Sequence, residues 1–294
     1  MGKPMNAYRY CKERQKRWAA QRGLNLIGSA GDRGEAVYTT MLEANLFEPL
    51  SPEARREFER GDGDELVAKG GPAKMQALHS SAALTCNVFH YWRHQADLLP
   101  ILTALRMPEE RVVSIEFEAK RPIMDAPNRR VFRTDPNLDV AMQCDGTGRF
   151  HEIAFECKFT EPYGRCEPDK KGLKRAYLRD EQLWAALPAC AELGRQLSPC
   201  DSRFKHLHAA QLLKHILGLT HRSGATGFCL VYLWYDAPCG EGQEHRGEID
   251  QFRAAVAGDG VCFHPITYQE VFASLTQCRP GHDRYAGYLT DRYA

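Results

Sequence analysis

The chain has 294 residues, of which 43% are hydrophobic and 26% are charged, a composition typical of a soluble globular protein. Its net charge of +1 excludes a uniformly basic nucleic-acid-binding protein. No apolar run is long enough to cross a membrane, and the first residues lack the apolar core of a secretory signal, so we expect a cytoplasmic protein with no membrane partner. The 11 cysteines include no C-x-x-C pair and predict reduced core thiols rather than a zinc site.

The N-terminal part of the chain predicts helices and a local excess of positive charge. Residues 8–20 favour a basic helix, residues 35–47 a second helix, and residues 52–60 a short charged helix that Ser51 caps. The basic residues at positions 1–23 are Lys3, Arg9, Lys12, Arg14, Lys16, Arg17 and Arg22, against the single acid Glu13. Such a segment is suited to gripping phosphates, but it is equally typical of an ordinary solvated helix.

The next segment predicts the first elements of an α/β core. Residues 74–92 favour a long helix and residues 98–105 a shorter one. Val112–Phe117 alternates like the first strand of a sheet. Glu116 and Glu118 lie on one face of this strand, where they would either approach a metal site or face water at a sheet edge.

Two stretches, PNLDVAMQ at 136–143 and HEIAFECKFTEPY at 151–163, carry the strongest chemical signal. Both alternate like β-strands, so their side chains fall on two faces. One face takes the apolar residues Leu138, Val140, Met142, Ile153, Phe155, Cys157 and Phe159. If the strands pair, the other face gathers Asp139, Glu156 and Lys158 beside only Ala141 and Ala154.

Two carboxylates and an ammonium beside small side chains leave room for a hydrated cation. Mg²⁺ binds through one or two carboxylates and keeps several waters. A lysine next to it can orient or deprotonate the attacking water, or stabilise charge on a phosphate. Charges on an alternating strand more often mark a solvated face. The residues flanking Glu156 and Lys158 are apolar, however, and a buried charge needs a partner or a metal.

The rest of the chain predicts polar connections around a central strand. Residues 121–135 and 165–181 are rich in arginine and lysine, and they either face DNA or form solvated loops. Residues 228–235 are nearly all apolar and predict a strand covered on both faces. The last predicted elements are a helix at 248–256, a short strand at 261–263 and a helix at 268–275.

Residues 203–219 predict a helix with polar side chains beside its apolar stripe. His208, Gln211 and His215 follow one side of this helix. His206, His208 and His215 are the nearest approach to a cluster of histidine metal ligands, but satisfied or exposed helix histidines are the simpler interpretation.

Asp139, followed by Glu156-Cys157-Lys158 on the next strand, resembles the PD-(D/E)XK nuclease superfamily, whose fold is restriction-endonuclease-like. The ordered segments IEFEAK, NLDVAM, AFECKFTEPY and AAQLLKH are similar to a bacterial group of restriction endonucleases, over residues 75–235. One departure is that Pro136 does not adjoin Asp139. The resemblance implies an α/β fold with a mixed central β-sheet flanked by helices, in the order α-βββ-α-β.

The sequence shows no internal repeat and no interdomain linker. We therefore expect a single nuclease-like domain over residues 1–294. The residues up to about 70 would form an N-terminal helical elaboration of this domain, and residues from about 236 a C-terminal one.

The resemblance implies a metal-dependent nuclease that hydrolyses DNA, as an endonuclease rather than an exonuclease. Asp139, Glu156 and the carbonyl of Cys157 would hold Mg²⁺, or Mn²⁺ in its place, and Lys158 would assist the attacking water. From the later helix, Gln211 joins the catalytic set. Cleavage of both DNA strands would favour a homodimer.

One feature of the family pattern is not matched in the leading helix. Many relatives take a further acid from the leading helix, but residues 75–92 contain neither Asp nor Glu. Such an acid would come from elsewhere, with Glu43 as the candidate, or be absent. Lys214 is a weaker candidate than Gln211 for the site residue of the later helix.

Two other functions are left open by the sequence. A catalytically silent nucleic-acid-binding protein would keep the fold, but it has no need of an intact set of Asp139, Glu156 and Lys158. A hydrolase with paired carboxylates, such as a glycosidase, needs two acids across a cleft. The lysine beside the acids disfavours that second alternative.

Overall fold

The computed structural model describes residues 6–29, 32–125, 129–164, 168–277 and 281–294. The strands are β1 (Leu26–Gly28), β2 (Ala36–Thr39), β3 (Val112–Lys120), β4 (Asn137–Cys144), β5 (Glu152–Lys158), β6 (Phe228–Trp234) and β7 (Cys262–Thr267). β3 to β7 form a mixed five-stranded sheet in chain order, while β1 and β2 form a separate pair. β4 is antiparallel to both of its neighbours, β3 and β5, and β6 and β7 continue parallel to β5.

The α-helices of the described residues lie around this sheet. They are α1 (Ala7–Gln21), α2 (Pro52–Arg60), α3 (Ser81–Phe89), α4 (Leu99–Ala104), α5 (Pro168–Lys171), α6 (Pro188–Gln196), α7 (Ala209–Ser223), α8 (Gly240–Val256), α9 (Tyr268–Gln277) and α10 (Asp283–Tyr293). Side chains of α3, α4, α9 and α10 pack in one core, and those of α6, α7 and α8 in another. The predicted α/β fold and its α-βββ-α-β order are confirmed. No helix in the described ranges is both long and apolar enough to cross a membrane.

The two cores lie on opposite faces of the sheet, as the alternating pattern of β4 and β5 predicts. Val140 and Phe155 belong to the first core, whereas Ala141 and Ala154 belong to the second. The prediction fails for Leu138, which packs in the second core. In the neighbouring strand β3, Glu118 has a left-handed backbone with φ of +52°, next to the point where the face of β4 changes. β6 is buried at every residue, as expected of a central strand.

In the N-terminal half, one predicted helix is wrong and another is shorter than predicted. Residues 35–47 instead form β2 and a 3₁₀ turn at Leu42–Asn45, because the β-branched side chains Val37 and Thr39 are buried when β2 pairs with β1. The helix predicted over 74–92 begins only at α3, where the Ser80 side chain accepts the N–H of Ala83. The predicted cap of α2 is confirmed, since Ser51 accepts the N–H of Ala54 at 3.2 Å.

α7 begins later than predicted, at Ala209, because a carboxylate binds the preceding backbone. Glu248 accepts the N–H groups of residues 205, 206 and 207, at 2.6 to 2.8 Å, and so holds this segment outside the helix. Gly218 then lets α7 lie close to the end of β3, since a Cβ there would sit 2.5 Å from the Arg121 carbonyl oxygen. These contacts fix α7 against the sheet.

A buried arginine joins the two ends of the chain. Arg292 of α10 is fully buried, and its guanidinium donates to Gln15 Oε1 at 2.9 Å and to the Asn45 carbonyl at 2.8 Å. It also lies 4.1 Å from the centre of the Trp18 ring. A buried charge is tolerated when hydrogen bonds and aromatic faces replace its water. Arg292 therefore holds α1 and α10 together.

Replacing Arg292 by Ala should lower the free energy of unfolding by at least about 3 kcal/mol, because several buried acceptors lose their donor and a cavity opens. Urea denaturation followed by circular dichroism measures this change. Arg17→Ala, at an exposed position of α1, is the matched control and should change stability by less than about 0.5 kcal/mol. Equal, small effects of both substitutions would contradict the structural role of Arg292.

Candidate active site

The candidate site lies where β4 and β5 separate. Regular pairing stops just short of Asp139 and Glu156, which lie opposite each other at the next position. Asp139 Oδ2 accepts the N–H of Cys157 at 2.6 Å, in place of a strand partner. The Cys157 carbonyl accepts the hydroxyl of Ser81, at the start of α3, at 2.9 Å. Both backbone groups of Cys157 therefore face the gap between the two strands.

Glu156 is fully buried and is stabilised by two side chains. Its Oε1 forms an ion pair with the Lys158 ammonium, and its Oε2 lies 2.7 Å from His215 Nε2 of α7. Burial acts to raise the pKa of Glu156, but Lys158 and His215 outweigh it and lower the pKa to about 2. The carboxylate is thus charged inside the protein.

The pKa values of Asp139 and Lys158 are shifted by the same group of charges. Burial and the nearby Glu156 carboxylate raise the pKa of Asp139 well above its usual range. Burial acts to lower the pKa of Lys158, but the carboxylates of Glu156 and Asp139 outweigh it and raise the pKa. Lys158 is therefore an ammonium ion at neutral pH, which favours a role in orienting water or stabilising charge over that of a base.

Two adjoining hollows, each of about 350 Å³, open at Asp139, and we call them together the site cleft. Glu156 lies beneath the cleft and lines neither hollow. Both are lined by Glu65, Glu118 and Asp139. Lys158 lines the first hollow and Gln211 the second. Two larger hollows, of about 480 and 570 Å³, lie elsewhere, and among the described residues their linings contain no two buried acids beside a lysine.

Two further acids, Glu118 and Glu65, line the site cleft, whereas Glu43 does not. Glu118 lines the site cleft, as one of its two predicted settings requires, and accepts a hydrogen bond from Asn137. Burial raises the pKa of Glu118, against the effect of this bond. Glu65, which the sequence did not single out, also lines the cleft, and burial raises its pKa to about 7. Glu43 is absent from both linings and lies 3.8 Å from Arg55 instead.

The predicted polar residues lie in α7 or directly before it, on the side that faces the site cleft. His208, Gln211 and His215 all line the second hollow, together with Lys214. Burial lowers the pKa of Lys214, and burial together with Lys158 lowers that of His208 to about 4. His206 lies apart, with Nδ1 2.8 Å from the Pro162 carbonyl oxygen, so it is a satisfied histidine.

Part of the basic N-terminal segment forms ion pairs within the chain. Lys12, Lys16 and Arg22 each pair with an acid of this protein. Lys3 lies outside the described residues. These pairs favour an ordinary helix over a phosphate grip. α1 nevertheless contributes Tyr8 to the wall of the site cleft.

The donor set of the site cleft fits a hard divalent cation. Asp139 and Glu156 offer carboxylate oxygens, and Cys157 offers a backbone carbonyl at the same gap. Oxygen donors of this kind, completed by waters and a phosphate, suit Mg²⁺ and Mn²⁺. Asp139 and Glu156 already have hydrogen-bond or ion-pair partners within the protein, so a cation would either displace these partners or bind beside them.

A second group of ligand side chains is better explained without a metal. Glu48, His90 and His94 have ligand atoms that all lie within 4.8 Å of one another. His90 Nε2 accepts the N–H of Ser51 at 3.0 Å, and Nδ1 lies 3.1 Å from Glu48 Oε1. Burial lowers the pKa of His90 to about 4, so the ring is neutral and carries its proton on Nδ1. A ring nitrogen that carries its proton cannot bind a metal.

The mixed five-stranded sheet flanked by helices is an α/β fold consistent with the restriction-endonuclease-like class. The chain belongs to the REase-ARP family, described as restriction endonuclease associating with ARP, whose family model matches residues 12–294. No curated protein and no solved structure matches the chain.

Glu65 provides a test of the electrostatics of the cleft. Its pKa in the folded protein is about 7, above the value of about 4.3 expected when unfolded. Stability is therefore lost as the pH rises through this interval, because the folded state must give up a proton that it holds more tightly. Glu65→Gln cannot ionise, so its stability relative to wild type should rise by about 1–2 kcal/mol between pH 5 and pH 8.

Urea denaturation at both pH values measures this difference. Glu59→Gln, at an exposed position of α2, is the control and should show a difference that is the same at both pH values. A Glu65→Gln difference that is independent of pH would contradict a burial-shifted carboxyl group in the cleft.

Proposed function

We propose that this protein is a divalent-metal-dependent endonuclease that hydrolyses DNA phosphodiester bonds at Asp139, Glu156 and Lys158. The observation that carries the proposal is the meeting of these three side chains at the gap between β4 and β5, beside an open cleft. Membership of a restriction-endonuclease family supports nuclease activity.

Asp139, Glu156 and the Cys157 carbonyl would hold Mg²⁺, with Mn²⁺ as a substitute. When bound, such an ion stabilises negative charge on a phosphate and makes a bound water more acidic. Asp139 keeps its Oδ2 on the Cys157 N–H, which fixes the carboxylate in front of the gap. The Cys157 carbonyl has a second lone pair beyond the one that Ser81 uses.

Lys158 would orient the attacking water and offset charge at the phosphate. Its ammonium is held beside Glu156, and its raised pKa keeps it protonated at the pH of the reaction. Gln211 reaches the same cleft from α7, and its amide can donate to a water or a phosphate oxygen and accept from a base.

Basic side chains beside the cleft support DNA as the substrate. Tyr177 lines the cleft and stacks on Phe132, with ring centres 4.1 Å apart, which joins two of the connecting loops. Arg133, Lys174 and Arg175 are exposed next to this stack, where they can contact phosphates. Residues 126–128 and 165–167 of these connections lie outside the described residues.

Partners follow from the proposed reaction and from the family description. One site per chain cuts one strand at a time, so cutting both strands favours a homodimer. The family is described as associating with ARP, and we include such an association in the proposal. A silent DNA-binding protein is disfavoured because Glu156 keeps a buried charge beside Lys158, an arrangement that binding alone does not require.

Cleavage of supercoiled and linear DNA in the presence of Mg²⁺, Mn²⁺ or EDTA tests this function. Wild type should nick DNA with either metal and not with EDTA. Asp139→Asn and Lys158→Ala should each lower the cleavage rate by about 10² to 10³, because each removes a group that holds the cation or stabilises the transition state.

Lys205→Ala is the matched control, because Lys205 forms an exposed ion pair with Glu244 away from the cleft. It should cleave like wild type. Cleavage by Lys158→Ala at the wild-type rate would overturn the role of this lysine. DNA binding without cleavage by wild type, with both metals, would favour the silent binding protein.

A further inference from the structure

His215 of α7 forms the closest contact between the helical layer and the site acids. Its Nε2 lies 2.7 Å from Glu156 Oε2, and its side chain is only 2% exposed. We propose that His215 is a positioning residue, which fixes the orientation of the Glu156 carboxylate for metal binding. The inference rests on the proposed function of the same site.

The carboxylate of Glu156 has two oxygens with different surroundings. Oε1 lies beside the Lys158 ammonium, and Oε2 faces His215. A donor at Nε2 occupies Oε2 and prevents the carboxylate from turning about its last side-chain bond. Oε1 is thereby left as the oxygen that a cation and Lys158 share. Partners that orient a ligating carboxylate typically contribute 10- to 100-fold to metal affinity.

The backbone that carries His215 is well suited to a positioning role. α7 is held by the Glu248 carboxylate just before its start, and it lies close to β3 at Gly218. Leu213 and Ile216, on either side of His215, are fully buried in the second core. The imidazole therefore projects from a fixed helix, so that movement of the cleft walls does not change its position.

The hydrogen-bonding pattern shows that His215 acts as a donor. Oε1 of Glu156 faces the Lys158 ammonium and Oε2 faces Nε2, and a carboxylate beside an ammonium only accepts hydrogen bonds, so the proton of this contact belongs to Nε2. Nδ1 is buried and has no hydrogen-bond partner among the described residues. With its Nε2 turned to the acid, His215 supports the proposed metal site without being a ligand itself.

A pair of substitutions separates the hydrogen bond from the packing. Gln resembles His in length and can place an amide donor near the position of Nε2, whereas Met has a similar size and no donor. His221→Ala, at an exposed position of the same helix, is the control. Binding of Mn²⁺ is measured by titration calorimetry, cleavage of supercoiled DNA is measured as a function of Mn²⁺ concentration, and thermal unfolding checks that each variant is folded.

We expect His215→Met to weaken Mn²⁺ binding 10- to 100-fold and to raise by a similar factor the Mn²⁺ concentration needed for cleavage. His215→Gln should restore at least part of this loss, and His221→Ala should match wild type. Equal Mn²⁺ affinity of wild type, His215→Met and His215→Gln would overturn the inference while leaving the nuclease function intact. Wild type that neither binds Mn²⁺ nor cleaves DNA would overturn the proposed function, and the inference with it.

Discussion

The charge of Glu156 is the constraint on which the site depends. A carboxylate with no exposed surface would be strongly destabilised unless other charges and donors replaced its water. Lys158 and His215 meet this need from β5 and α7, so the strand and the helix must be placed correctly relative to each other. Removing either partner leaves a buried charge unbalanced. The charges thus link the chemistry of the site to the packing of the second core.

The gap between β4 and β5 places the site cleft next to this buried charge, since Asp139, Cys157 and Lys158 line the cleft. If regular pairing continued, the N–H and the carbonyl of Cys157 would form hydrogen bonds with β4. Instead the Asp139 carboxylate and the Ser81 hydroxyl serve its N–H and its carbonyl. The residues before the sheet complete the opening, since Glu65 and Tyr8 line the cleft and Arg292 ties α1 to the C-terminal helix. The terminal regions therefore shape the wall of the cleft.

The sequence predicts this arrangement where the pattern is local or where a family resemblance supplies it. Alternation in two short strands predicts that Asp139 and Glu156 share a face, and the pairing of β4 with β5 sets them opposite each other. The nearly continuous apolar run of β6 indicates a central strand. The helical spacing that put Gln211 and His215 on one side of a helix holds in α7. What local pattern cannot reveal is which of these side chains will meet an acid on the sheet.

The errors arise where distant contacts override local preference. β2 forms in a segment with helical spacing because it pairs with β1, and α7 starts late because Glu248 binds the backbone before it. Glu65 enters the cleft from a glycine-flanked loop, whose course depends on tertiary packing and leaves no periodic signal. Leu138 changes face beside Glu118, whose left-handed backbone is unusual for a non-glycine residue.

The most direct test of the account is the position of a bound cation. Crystals soaked in Mn²⁺ and measured at the manganese absorption edge would locate it by anomalous scattering. We predict a peak about 2.0–2.4 Å from carboxylate oxygens of both Asp139 and Glu156. A peak confined to Glu48 and His90, or the absence of density between the two site acids in crystals that take up Mn²⁺, would contradict the proposed metal site.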